Sequence, residues 1–138
     1  MKNVYPVLFT KTDGAVLVEV PDFNIMTEGT DLPDAISMAR DAISLAGISK
    51  EDHAESIPEP SAISSIDVAG GVFAADGETV VSLVDVDFSE YRRKIDTKTV
   101  RRNVTLPSWL NYEAEKARIN VSRILQDALM EILNVSRD

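Results

Sequence analysis

The chain has 138 residues, 44% of them hydrophobic, with no cysteine and a formal net charge of −9. That length suits one or two small domains. The lack of cysteine excludes disulfides, thiolate metal sites and cysteine nucleophiles, in keeping with a reducing cytoplasm, and no signal peptide or membrane-spanning stretch is evident.

The charge is unevenly spread. Residues 1–90 hold 4 Lys/Arg against 17 Asp/Glu, a net of −13, whereas residues 91–138 hold 10 against 6, a net of +4. Opposite charges on the two halves point to opposite partners, something basic for the front and a polyanion for the tail.

Taken in order, Lys2 to Thr10 reads as a strand, with Val4, Tyr5, Val7, Leu8 and Phe9 and an edge-tolerated Pro6. Thr12-Asp13-Gly14 predicts a hairpin turn with glycine supplying positive φ, and Ala15 to Val20 a second strand. Pro21-Asp22 ends it, and Ile25 to Glu28 forms a short third strand. A helix follows, capped by Asp31 with Asp34 three residues on. Its expected buried stripe is Leu32, Ala35, Ile36, Ala39, Ile43 and Ala46, and Gly47 is expected to stop it. A helix with one apolar face needs a sheet to cover, so the three strands should lie beneath it.

Residues 47–77 have little periodicity and read as a long surface connection with a short helix near Lys50 to Ala54. Thr79 to Phe88 regains strand character, with enough apolar residues for a largely buried strand. Returning after a helix, it is expected to run parallel to a neighbour. Ser89 to Thr97 is polar and includes Arg92-Arg93-Lys94. The expected domains are therefore residues 1–90 and 98–138, with 91–97 as a linker.

Along Thr99 to Leu106 the residues alternate. Val100, Val104 and Leu106 share one face with Arg102, and Arg101, Asn103 and Thr105 share the other. Pro107-Ser108 halts this strand and opens a helix, because proline lacks a ladder donor but fits a first helical turn. At the next break Asn120 suits a left-handed position and Ser122 a helix cap. Ile124, Leu125, Ala128, Leu129, Ile132 and Leu133 then form one apolar stripe.

One strand and two short helices, about 36 residues, are too few to bury these faces alone. Two copies would pair their strands into an antiparallel ribbon, and four helices would close its apolar side. The expected dimer core is Val104, Leu106, Trp109, Ile124, Leu125, Ala128, Leu129 and Ile132. The ribbon's other side would show Arg101, Asn103 and Thr105 twice, at a width that suits the DNA major groove.

This tail resembles the ribbon-helix-helix fold of the MetJ/Arc family of repressors. The resemblance implies that Arg101, Asn103 and Thr105 read bases and that Val121-Ser122-Arg123 clamps a phosphate. Arg102 departs from the pattern, standing where the family usually has an apolar residue; its options are to snorkel to the ribbon's end or to touch phosphate.

The front half resembles the HicB antitoxins through Tyr5-Pro-Val-Leu-Phe, Val18-Glu-Val-Pro-Asp-Phe, Thr27-Glu-Gly, the Asp34-Ala35 helix start and Pro58-Glu-Pro-Ser61. After Pro21-Asp22-Phe23 that family commonly continues Pro-Gly-Cys, where this chain has Asn24-Ile25-Met26; the departure bears on the local turn and not on the fold. The resemblance implies an α+β protein: a degraded ribonuclease-H-like β-β-β-α-β domain that binds a HicA-like toxin ribonuclease, then a ribbon-helix-helix (β-α-α) domain that dimerises and binds operator DNA, with the choice between homodimer and higher oligomer left open. It also implies that the catalytic acids of the ribonuclease-H ancestor are lost.

The residues support the same absence of chemistry. Two-metal hydrolysis needs several carboxylates converging on paired ions. Asp13 sits in a turn, Glu19 is exposed by alternation, Asp22 follows a strand, and Asp85 and Asp87 share one face near a strand's end. His53 lies among acids in a polar loop with no orienting partner. No nucleophile elbow or glycine-rich phosphate loop occurs. The expectation is a non-enzymatic antitoxin that needs no cofactor or metal, neutralises its toxin and represses its own operon. The competing expectation is a ribbon-helix-helix regulator with a small-molecule-sensing front domain and no toxin partner.

Overall fold

A computed structural model describes residues 2–96 and 98–136. The chain divides into two compact units, Met1–Thr97 and Lys98–Asp138.

The first unit contains β1 (Lys2–Lys11), β2 (Val16–Val20), β3 (Ile25–Gly29), α1 (Leu32–Asp52), β4 (Glu78–Asp87) and α2 (Phe88–Ile95). The strands form one sheet in the order β3-β2-β1-β4, with every neighbouring pair antiparallel. Alternation along β1 places Tyr5, Val7 and Phe9 in a core with Val18, Val20, Val84 and Val86, closed by Ala35, Ala39 and Ile43 of α1 and by Phe88. Yet β1 is buried continuously from Tyr5 to Thr10. Its second face is covered too, because residues 53–77 fold back over it. Glu19, opposite Leu8 in the ladder, accepts the Val72 N–H at 2.9 Å. What reads as a surface connection is therefore a covering layer, and Glu19 is half-buried within it.

The β1–β2 turn closes without a left-handed glycine, since no described glycine has positive φ. Thr12 does the work: its N–H and hydroxyl both reach Ala15 O at 2.9 Å. Pro21–Phe23 forms a single turn of 3-10 helix, ended by Asn24 in the left-handed region at φ 55°, a conformation asparagine tolerates. Asp31 caps α1 by accepting the Asp34 N–H at 2.9 Å, and the Asp34 carboxylate accepts the Thr30 N–H at 2.8 Å.

Further expectations about this unit are corrected. Gly47 does not end α1: it is a buried interior residue, the helix runs on to Asp52, and the short helix expected near Lys50 is its last turn. The buried stripe is Ala35, Ala39, Ile43, Ser44, Gly47 and Ile48, while Leu32 is exposed where α1 begins. β4 is neither parallel nor largely buried. Residues 53–77 carry the chain back to the Lys11 end of β1, so β4 enters opposite Lys11 and runs antiparallel to it at the sheet's edge. Only Val84 and Val86 of β4 are buried. Lastly, the residues read as a linker begin inside α2, which starts with Phe88 in the core and pairs Arg92 with Asp52 at 3.1 Å.

In the second unit residues 98–107 carry no regular structure within the single chain, and α3 (Ser108–Lys116) and α4 (Val121–Leu133) follow. The strand expected over Thr99–Leu106 is not a strand here, for a physical reason: a strand needs a ladder partner, and none of the described residues of the unit supplies one. Pro107 stands at the start of α3 as its fixed φ favours. The break between the helices differs from expectation. Arg118 takes the left-handed conformation at φ 56°. Asn120 is extended and caps α4, its Oδ1 accepting the Arg123 N–H at 3.0 Å. Ser122 lies inside the first turn of α4 and is not the cap.

Candidate functional site

The residues expected to read DNA, Arg101, Asn103 and Thr105, lie on the extended stretch before α3, and all three are exposed. So is Arg102. Val121, Ser122 and Arg123 open α4, where amide groups without intrahelical partners and the helix dipole favour an anion. The Arg123 amide is already held by Asn120, and the Arg123 side chain leans along the helix to Asp127 at 3.7 Å.

None of the described residues in 98–136 is buried. Trp109 is 68% exposed, Leu129 46% and Ile132 78%, and Val104, Leu106, Ile124 and Leu125 are exposed as well. Ala128 is likewise open to solvent. Ile124, Leu125, Ala128, Leu129 and Ile132 fall at helical spacing on α4, so one chain holds a continuous apolar stripe in water.

In the first unit, four of the five acids considered as a metal site, Glu19, Asp22, Asp85 and Asp87, have structural partners, and Asp13 is exposed in the β1–β2 turn. Arg40 donates Nη2 to the Asp85 carboxylate at 2.9 Å and Nε–H to the Asp85 carbonyl at 3.0 Å. The hydrogen bond from Arg40 holds the Asp85 carboxyl below the usual carboxylate range, helped by Asp85's own backbone and by the Arg40 and Lys2 charges. Asp87 caps α2, and the Glu90 N–H it accepts at 3.1 Å lowers its pKa in the same way. Asp22 accepts both the N–H and the hydroxyl of Ser61, tying the Pro58–Ser61 segment to the end of the sheet. Among the described residues no group of three or more His, Asp or Glu side chains could hold a metal ion. His53 closes the C-terminus of α1, its Nδ1–H donating to Ser49 O at 2.7 Å.

A cleft of about 540 Å³ lies beside the Arg40–Asp85 pair, between α1, α2 and the end of β4. Its charged lining is balanced, with Lys2, Arg40, Arg93 and Lys94 facing Asp41, Asp85, Asp87 and Glu90. No buried, unpartnered polar side-chain atom is found among the described residues. None of their helices is long and apolar enough to cross a membrane.

Sequence reasoning missed the Asn120 cap, the Arg40–Asp85 pair and the Asp22–Ser61 tie. The first was legible in Asn-Val-Ser-Arg, since asparagine is among the strongest N-caps. The other two join residues 45 and 39 positions apart, and nothing local announces them.

The chain thus has two parts, an acidic sheet unit with its own core and then a small helical unit with its apolar residues in the open. The chain belongs to the HicB-like antitoxins of bacterial toxin-antitoxin systems, whose family profile matches residues 5–128. Among solved structures it is similar to a toxin-antitoxin complex from Streptococcus pneumoniae, at 24% identity over 95% of this chain and 99% of that one, with a TM-score of 0.59. It is also similar to the antitoxin HicB of Burkholderia pseudomallei, at 26% identity over 95% and 96% of the two chains, with a TM-score of 0.50. No curated protein sequence matches the chain.

Proposed function

We propose that this antitoxin neutralises a small, basic, HicA-like mRNA-cleaving toxin through its first unit and represses its own operon through a ribbon-helix-helix dimer of its second. The contrast between the units carries the reading. Met1–Thr97 holds 7 Lys/Arg against 18 Asp/Glu, a net of −11, around its own core. Lys98–Asp138 holds 7 against 5, a net of +2, and none of its described residues is buried. An acidic, stably packed surface suits masking a protein that grips RNA. A small unit in which no described residue is buried within one chain suits obligate pairing with a second copy.

In that dimer the stretches Thr99–Leu106 pair as a ribbon, Val104, Leu106, Trp109 and the α4 stripe form the shared core, and Arg101, Asn103 and Thr105 face the major groove. The amides of Val121 and Ser122 at the start of α4 and the Arg123 side chain take a phosphate, with the Arg123 amide left to Asn120. The competing reading, a regulator that senses a small molecule, would look to the charged cleft beside Arg40, where the charges answer one another.

Co-expression of the full chain with a HicA-like toxin, followed by sizing and an operator mobility-shift assay, tests the proposal. The expected product is an even-numbered assembly that contains the toxin and shifts operator DNA. Leu129→Ala, which truncates the α4 stripe at a cost of about 2–5 kcal/mol, should leave the toxin bound and abolish both dimer and shift. A monomeric variant that still binds operator tightly would refute the shared ribbon.

A further inference from the structure

We propose that β4 is a docking edge, along which an extended basic segment of the toxin adds as a fifth strand of the sheet. The inference rests on the antitoxin reading above and names the surface that would do the binding. With the strand order β3-β2-β1-β4, one long side of β4 has no strand beside it among the described residues. Two residues show which backbone groups face that side. In an antiparallel pair, alternate residues bond the partner strand and the intervening ones turn away. Pro6, which has no N–H to give, stands opposite Leu83, marking Leu83 as a position that does not bond β1. Asp85, two residues on, gives its carbonyl to Arg40 from α1. By the same parity, Thr79, Val81 and Leu83 direct their N–H and C=O groups to the open side.

Edge strands are usually guarded by a charge, a proline or a bulge. Thr79 to Val84 has no charged residue and no proline, and its register with β1 is continuous. Arg40 closes only the Asp85 end. Val80 and Leu83, on opposite faces of the strand, are 52% and 51% exposed, which gives an incoming strand an apolar contact on each side.

The acids choose the occupant. Glu78 stands at one end of the open stretch, Asp85 and Asp87 at the other, on a unit with a net charge of −11. A second copy pairing about a twofold axis at Ser82 would set Glu78 opposite Val86, between Asp85 and Asp87, like charge beside like. A basic segment meets the same acids with the opposite sign.

The test uses the full chain and a HicA-like toxin silenced by replacing its catalytic histidine. Leu83→Pro removes one outward N–H while leaving the β1 ladder intact, and Leu83→Lys places on the edge a charge that repels a basic strand. Each variant should melt as wild type does and bind the toxin roughly ten-fold or more weaker. Hydrogen exchange at the Thr79, Val81 and Leu83 amides of wild type should slow when the toxin is added. If wild type binds and both folded variants bind equally well, or if those amides stay fast, the edge assignment is overturned while the antitoxin reading stands. If Leu83→Pro loses a higher oligomer with toxin affinity intact, the edge belongs to a second copy and the proposal fails. Wild type that ignores the toxin overturns both.

Discussion

The ring of Phe88 occupies the space that a side chain at Gly47 would need: a Cβ on Gly47 would overlap its Cε1 and crowd Cδ1 and Cζ. This contact seats the end of β4 and the start of α2 on the middle of α1. In an ordinary helix interior, Gly→Ala stabilises by ~1 kcal/mol. Here it forces a buried ring out of place, an overpacking cost of ~1–3 kcal/mol. Gly47→Ala should therefore lower stability in chemical denaturation. A gain would mean that Phe88 does not pack against the bare helix backbone.

Tyr5 is fully buried, donates its hydroxyl hydrogen to Pro58 O at 2.7 Å and receives one from Asn3 Nδ2 at 3.1 Å. Its ring meets Phe23 edge-on at 5.0 Å. Tyr5→Phe keeps the ring but strands the Pro58 carbonyl, and should cost ~0.5–1.5 kcal/mol near neutral pH. Burial, outweighing the bond from Asn3 and helped by the Asp22 and Glu59 charges, pushes the phenol pKa above its usual 10. A raised pKa in the folded state gives stability that is complete below the unfolded value and is lost as pH rises through the folded one. The gap between wild type and Tyr5→Phe should hold below pH 10 and narrow above it in paired denaturation curves.

Asn120 caps α4 and Ser122 does not. Asn120→Ala should lose about 1 kcal/mol of helix stability and weaken DNA binding on all sequences, because the first turn of α4 carries the proposed phosphate clamp. Ser122→Ala should have much less effect on stability. Thermal melts of the two variants, read beside their mobility shifts, separate these roles; equal losses would return the cap to Ser122.

Arg101→Ala and Asn103→Ala should each cost ~1–3 kcal/mol on operator DNA and relax specificity at one position per half-site. Both residues are exposed, so folding should be unaffected. Quantitative binding to operator and scrambled duplexes decides it. Wild-type affinity in either variant would mean that the other face of the stretch meets DNA.

The sequence made the strand-rich front, the capped start of α1 and both tail helices legible, because each has a local cause: alternation, an Asp at an N-cap, a Pro at a helix start. It misplaced what depends on distant partners. Gly47 reads as a stop until Phe88, 41 positions on, is seen to need its missing side chain. β4 looks buried by composition, yet its place at the sheet edge follows from where residues 53–77 deliver the chain. The linker read into Arg92-Arg93-Lys94 failed for a similar reason, since Arg92 is paired with Asp52 of α1. In the tail the apolar spacing was plain, and none of the described residues there is buried within one chain.

The most direct test is the rate of RNA cleavage by a HicA-like toxin, titrated with the full chain. Cleavage should fall to nothing near one antitoxin unit per toxin, with association slowed by added salt as the charges on the acidic unit are screened. The chain alone should cleave no RNA with Mg²⁺ or Mn²⁺. Toxin cleavage that persists in an excess of the chain, or metal-dependent cleavage by the chain itself that Asp85→Asn abolishes, would contradict the account.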